Sequence, residues 1–125
     1  MREGEWRLAA VRGATTVEED SVEQTRGRTA ELLQTMMERN SIREDAIVSI
    51  IFTATPDLVA DFSATAARDL GLSKVPLLCS QEIAVQGSIE RCIRILMHVY
   101  SMRPRDEIRH AYLHEARQLR TDLPE

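Results

Sequence analysis

Cys92-Ile93-Arg94-Ile95-Leu96-Met97-His98-Val99-Tyr100 reads as a strand crossing an apolar interior, with one cation set among its Ile, Leu, Met and Val. A guanidinium stays protonated in proteins, so burying it requires an anionic partner and a full set of hydrogen-bond acceptors. The same irregularity occurs where Arg12 interrupts Leu8-Ala9-Ala10-Val11, and where Gln81 and Glu82 follow Val75-Pro76-Leu77-Leu78-Cys79. Two cations and one carboxylate at the ends of apolar strands point to a polar pocket built on a rigid sheet. A purely structural Arg94/Glu82 ion pair is the alternative reading, because structural pairs also hold charges in such settings.

The flanking segments alternate between strand and helix. Trp6 to Val17 is rich in apolar and β-branched residues and reads as a strand, broken at Gly13 where backbone approaches a ligand or bends. Asp20-Ser21-Val22-Glu23 is an N-cap and capping-box signature with Asp20 as the cap. Behind it, Val22, Thr29, Leu32, Leu33, Met36 and Met37 trace an apolar stripe at helical spacing, weakened slightly by Gly27 and ended by Asn40. Ala46 to Ala54 is continuously apolar and β-branched, which predicts a strand covered on both faces and stopped by Thr55-Pro56-Asp57. Phe62 to Gly71 reads as a short helix with Ser63 as N-cap and Gly71 as its stop. Val75 to Cys79 is a third strand, Gln86-Gly87-Ser88 a loop, and Pro104 closes the exit of the Arg94 strand. From Asp106 to Leu119 the pattern fits a helix or an edge strand equally. The expected fold is α+β, a sandwich of one mixed sheet of about five strands with helices on one face, ferredoxin-like in layout. The other face then needs cover, and with only 4% aromatic residues a homo-oligomer is the plausible source.

A chain of 125 residues suits one domain with one core, so residues 1–125 are read as a single unit. With 16 basic against 20 acidic residues the net charge is -4, which offers no general attraction for nucleic acid or an anionic membrane, so any anion must be met locally. No apolar segment is long enough to span a bilayer, and Met1-Arg2-Glu3-Gly4-Glu5 lacks the apolar core of a signal peptide, so the expected location is the cytoplasm. Cys79 and Cys92 lie in strand-like contexts and read as reduced thiols, not as a disulfide or zinc ligands. Phosphate-loop and dinucleotide motifs are absent. His110 and His114, with Glu115 adjacent, have metal-ligand spacing on a helix but lack a third ligand, so no metal is expected.

What remains is an arginine-dominated site, and here the chain resembles a known family. Val11-Arg12-Gly13-Ala14-Thr15-Thr16-Val17-Glu18, then Thr53-Ala54-Thr55-Pro56-Asp57-Leu58 leading to Phe62 and Arg68, resembles the monofunctional chorismate mutases of the trimeric α/β-barrel class. So do Val75-Pro76-Leu77 with Cys79-Ser80-Gln81-Glu82, Cys92-Ile93-Arg94-Ile95, and Ile108-Arg109-His110-Ala111-Tyr112-Leu113. The matches run in order from about Arg12 to Leu123. The resemblance implies a cofactor-free isomerase that converts chorismate to prephenate in phenylalanine and tyrosine biosynthesis, acting as a homotrimer that forms a pseudo-α/β-barrel, with active sites between subunits. It implies that Arg94 binds a side-chain carboxylate and the ether oxygen, that Arg12 binds carboxylate, and that Glu82 takes the ring hydroxyl. It further implies a backbone contact at Cys79, a carboxylate contact from Tyr112, a wall at Phe62, a mobile cation at Arg68, and closure by a C-terminal segment, residues 117–125, bearing Leu119 and Arg120. Residues 1–5 are an N-terminal extension.

A pericyclic rearrangement moves no proton and forms no enzyme adduct, so nucleophile, general base and metal are all dispensable. The protein has only to hold a compact conformer and stabilise charge that separates between ether oxygen and ring. Thr65 stands where many relatives carry lysine, Thr121 replaces a proline, and Leu78 occupies a position that can be polar; these departures touch substrate affinity and tail closure more than the chemical step. Two rival functions are a regulatory module binding a small carboxylate and an imine or enamine deaminase of similar shape. Glu82 beside Arg94 argues against both, since a carboxylate sensor needs no hydroxyl acceptor.

Overall fold

A computed structural model of the chain describes residues 5–119. Five strands and two helices follow the order β1 (Arg7–Thr16), α1 (Val22–Arg39), β2 (Ile47–Ala54), α2 (Ala64–Asp69), β3 (Leu77–Gln81), β4 (Cys92–Ser101) and β5 (Ala111–Tyr112). They build one mixed sheet in the order β3-β2-β4-β1-β5, with β4 antiparallel to β1 and β2, β3 parallel to β2, and β5 parallel to β1. The expected α+β class and the strand count hold. The connectivity departs from the ferredoxin-like order, because α2 lies between β2 and β3 and carries the crossover that a parallel pair requires.

Side chains alternate across the sheet, so its two faces have different fates. Ile93, Ile95, Met97 and Val99 of β4, with Val11 of β1 and Ile50 and Phe52 of β2, are buried against Leu32, Leu33 and Met36 of α1 and Ala64 and Ala67 of α2. Gly13 belongs to this packed side. A Cβ there would stand 2.5 Å from Met36 Sδ and 3.0 Å from Leu32 Cδ1, so the glycine lets α1 approach the sheet and is not an opening toward a ligand. On the opposite face Leu8, Leu78 and Tyr100 are more than half exposed, and Ile51, Leu96 and His98 are half-buried. The predicted two-sided apolarity of β2 is present, but within one chain only one of its sides is covered.

Several caps differ from expectation. Ser21, not Asp20, caps α1: its Oγ accepts from Gln24 N–H at 3.1 Å, while the Asp20 carboxylate accepts from Val59 and Ala60 N–H in the loop after β2. Asp20 and Glu23 match a capping box in sequence, but the Asp20 carboxylate is taken by the Val59 and Ala60 N–H groups, a long-range demand that outweighs the local motif. Ser63 precedes α2 in helical conformation and makes no capping hydrogen bond; its Oγ lies 3.7 Å from Cys79 Sγ instead. Gly71 does end α2, at φ 88°. The segment of open reading resolves as strand β5, followed by a 3-10 turn over His114–Gln118. Among the described residues, no helix is long and apolar enough to cross a membrane, and no cluster of His, Cys, Asp and Glu could hold a metal ion.

Candidate active site

β4 places Arg94 on the helix-free face, in register with Ala14 of β1 on one side and Thr53 of β2 on the other. Two small neighbours leave room for the guanidinium and for a cavity of about 410 Å³ lined by Arg12, Thr53, Arg94 and Tyr112 among others. Arg12 pairs with Leu96, so it stands on the same face, diagonal to Arg94. Glu82 follows the end of β3, where its N–H donates to Ala54 O at 2.9 Å and the alternation of the strand turns its side chain toward this face.

The carboxylate of Glu82 is held from two sides at one oxygen. Thr53 Oγ1 donates to Oε2 at 2.6 Å, and Arg94 Nε lies 3.0 Å from the same oxygen. The Arg94 Nε–H is buried but not aimed along that line, so the contact is a charge pair and that donor makes no hydrogen bond with the described residues. Oε1 of Glu82 accepts no hydrogen bond from the described residues. Nor does any described carboxylate lie within ion-pair distance of Arg12. Two guanidinia thus share one face with a single carboxylate, a local excess of positive charge suited to an anion. Behind Arg94, Cys92 is fully buried, and that burial pushes its thiol up to about 11 although Arg94 pulls the other way. Both cysteines are free, and at neutral pH Cys92 is a protonated thiol with no nucleophilic role.

One end of this face is closed by the C-terminal turn. Leu113 N–H donates to Ala14 O at 2.9 Å and Glu115 N–H to Thr16 Oγ1 at 3.2 Å, and Ala14, Cys92, Tyr112 and Ala116 form a small buried cluster on which Leu119 packs. Leu119 thus stands at the rim beside Tyr112. Arg120 and the rest of the expected closing segment, like residues 1–4, lie outside the described residues.

The other sequence-derived site residues are elsewhere. Phe62, 70% exposed, and Cys79 line a separate cavity of about 480 Å³ between the loop before α2 and the sheet edge. Hydrogen bonds from Ile50 N–H to Pro76 O and from Glu82 N–H to Ala54 O set the ladder of β3 so that the backbone of Cys79 points away from β2, toward the open edge. Arg68 is exposed on α2 and lines neither cavity. The Phe62 loop is pinned: Asp61 accepts from Arg26 Nε at 2.7 Å and from Phe62 N–H at 2.8 Å, and the hydrogen bond from Arg26 holds its carboxyl below the usual range. One chain therefore brings together Arg12, Arg94, Glu82, Tyr112 and Leu119, and holds Phe62, Cys79 and Arg68 apart from them.

His110 and His114 do not share an α-helical face: His110 precedes β5 and His114 opens the 3-10 turn after it. His110 is buried beside β1, with Nδ1 accepting from Arg12 N–H at 2.9 Å, whereas His114 is exposed and pairs with Glu31 at 2.8 Å. Thr53 binds the Glu82 carboxylate and His110 the backbone N–H of Arg12, two contacts that sequence alone does not reveal. A threonine opposite an arginine in a strand register becomes visible only once the strands are paired.

Comparison with known proteins finds close relatives along nearly the whole chain. The family model described as chorismate mutase type I matches residues 8–123. Chorismate mutase AroH of Thermus thermophilus is 46% identical over 117 residues, covering 93% of this chain and 96% of that protein. The AroH chorismate mutase of Bacillus subtilis (strain 168) is 43% identical over 117 residues, covering 93% and 92%. A solved chorismate mutase from Clostridium thermocellum superposes with a TM-score of 0.87 at 46% identity, over 88% of this chain and 98% of that one.

Proposed function

We propose, on the premise that this chain belongs to the type I chorismate mutase family and rearranges chorismate to prephenate in aromatic amino-acid biosynthesis, that Arg94, Glu82 and Arg12 carry the reaction in a homotrimer whose active sites lie between subunits. The reaction is intramolecular: an ether C–O bond breaks as a C–C bond forms, and no proton is transferred. Negative charge grows on the ether oxygen and positive charge on the ring. Arg94 supplies a planar fork that binds a side-chain carboxylate and directs a donor to the ether oxygen. Glu82, fixed at Oε2 by Thr53, offers Oε1 to the ring hydroxyl and offsets the ring's positive charge. Arg12 and Tyr112 bind carboxylate and hold the compact conformer, so orientation is set before the barrier is climbed. Placing these groups on strands limits reorganisation, and Leu119 with the segment beyond it excludes water.

The observation that carries this reading is the division of the site residues within one chain. Arg12, Arg94, Glu82 and Tyr112 lie on the uncovered face, whereas Phe62 and the outward backbone of Cys79 lie at the β3 edge and Arg68 is exposed on α2. A neighbouring copy that covers the apolar helix-free face brings its β3 edge beside the arginines and completes the site. The trimer would work in the cytoplasm, with chorismate and prephenate as its only required ligands and no cofactor.

Subunit mixing tests the proposal. Arg94→Ala and Arg68→Ala chains, each strongly impaired alone, are unfolded and refolded together in equal amounts. Random assembly should restore about a quarter of the sites, because half of the chains contribute each intact half-site. Activity no greater than the two variants show separately would place all site residues within one chain and refute the intersubunit arrangement.

A further inference from the structure

The charged groups of the site are held by the sheet, and at Arg12 the sheet is incomplete. β5 pairs with β1 only at Gly13↔Ala111 and Ala14↔Tyr112. Ala14 O takes the next strand's Leu113 N–H, but two residues back along β1 the Arg12 N–H points to the same side and, among the described residues, meets a side chain in place of a backbone carbonyl. It donates to His110 Nδ1 at 2.9 Å, from a ring that is only 7% exposed. The imidazole replaces a missing rung of the ladder, and its Nδ1 must carry a lone pair, which fixes the Nε2–H tautomer. The backbone at 110 is fixed separately, as Arg39 Nη1 donates to His110 O at 3.0 Å and Asn40 grips both backbone groups of Arg109.

We infer that His110 is a positioning residue for substrate binding: its Nδ1 locks the backbone of Arg12 so that the guanidinium meets the substrate carboxylate in the right place. This rests on the carboxylate-binding role proposed for Arg12. Without the acceptor, a buried N–H is orphaned and β1 shifts or frays at that residue. Arg12 holds a carboxylate that is present in ground and transition states alike, so the loss falls on KM more than on kcat.

His110→Asn keeps an acceptor oxygen close to the Nδ1 position, whereas His110→Leu has nearly the same shape and no acceptor. Both are compared with Arg12→Ala in the full-length enzyme. The expected result is a KM raised about tenfold or more in the Leu variant, the scale of one orphaned buried donor, with kcat within about threefold, and a KM within about twofold of wild type in the Asn variant. An Asn variant with a KM as high as that of Arg12→Ala overturns the role of His110, as does a Leu variant with wild-type KM, while Arg12 keeps its own. An Arg12→Ala enzyme with unchanged KM overturns the assignment of Arg12 and the role of His110 with it. Should the Leu variant fail to fold, the Asn variant decides alone.

Discussion

Arg94→Lys lowers kcat by at least ~10²–10³-fold, the scale of removing one preorganised donor to a developing oxyanion. Lysine keeps the charge and loses the planar fork, so one group can no longer hold a carboxylate and serve the ether oxygen together. If those contacts strengthen as the bond breaks, turnover falls along with affinity. Stability should respond little. The Arg94 and Glu82 side chains are 31% and 20% accessible, Nε is 3.0 Å from the carboxylate without a directed hydrogen bond, and partly exposed pairs contribute under about 1 kcal/mol. That contrast separates the two readings of Arg94: a structural partner of Glu82 would lose a little stability and no turnover, whereas a catalytic group loses turnover in a folded protein. Steady-state kinetics with thermal unfolding of the same samples make the comparison.

Glu82→Gln is expected to cost ~10²-fold or more in kcat, again the scale of one preorganised electrostatic group. Glutamine still presents an oxygen to the ring hydroxyl, so KM should change by less than about tenfold. What disappears is the negative charge that offsets positive charge on the ring. The substitution also leaves Arg94 without its charge partner on that face, which strengthens attraction for a dianion in the ground state while removing stabilisation of the transition state. A kcat within a few-fold of wild type would mean that Glu82 only orients the hydroxyl.

The polar pocket was legible in the sequence because its members violate the pattern around them. Arg94 among Ile93, Ile95 and Leu96, and Arg12 after Val11, stand out against strand periodicity, and alternation alone assigns each to the face opposite the core. The strand and helix segments were readable for the same reason, including the two-sided apolarity of β2. Long-range pairing was not. Asp20 reads as a helix cap until the loop at Val59 and Ala60 claims its carboxylate, and Ser63 reads as a cap until Cys79 comes within 3.7 Å. His110 and His114 share helical spacing, yet a parallel pairing of Ala111 and Tyr112 with β1 turns that stretch into a strand and sends the two rings to different surroundings. The ferredoxin-like order failed on connectivity: nothing in the composition of α2 says whether the strand after it pairs parallel or antiparallel. The split of the site into two halves also has no signature in a single chain's pattern, because each half is an ordinary surface until a second copy is placed beside it.

The charge of Arg94, held on a rigid strand before the reaction begins, is what stabilises the transition state. Citrulline at position 94, introduced by ligating a synthetic C-terminal segment, preserves the shape of the side chain and removes its charge. The kcat of the folded citrulline enzyme should fall at least as far as that of Arg94→Lys, ~10²–10³-fold. Turnover near wild type would contradict it, and would show that shape and hydrogen bonding at position 94 suffice without charge.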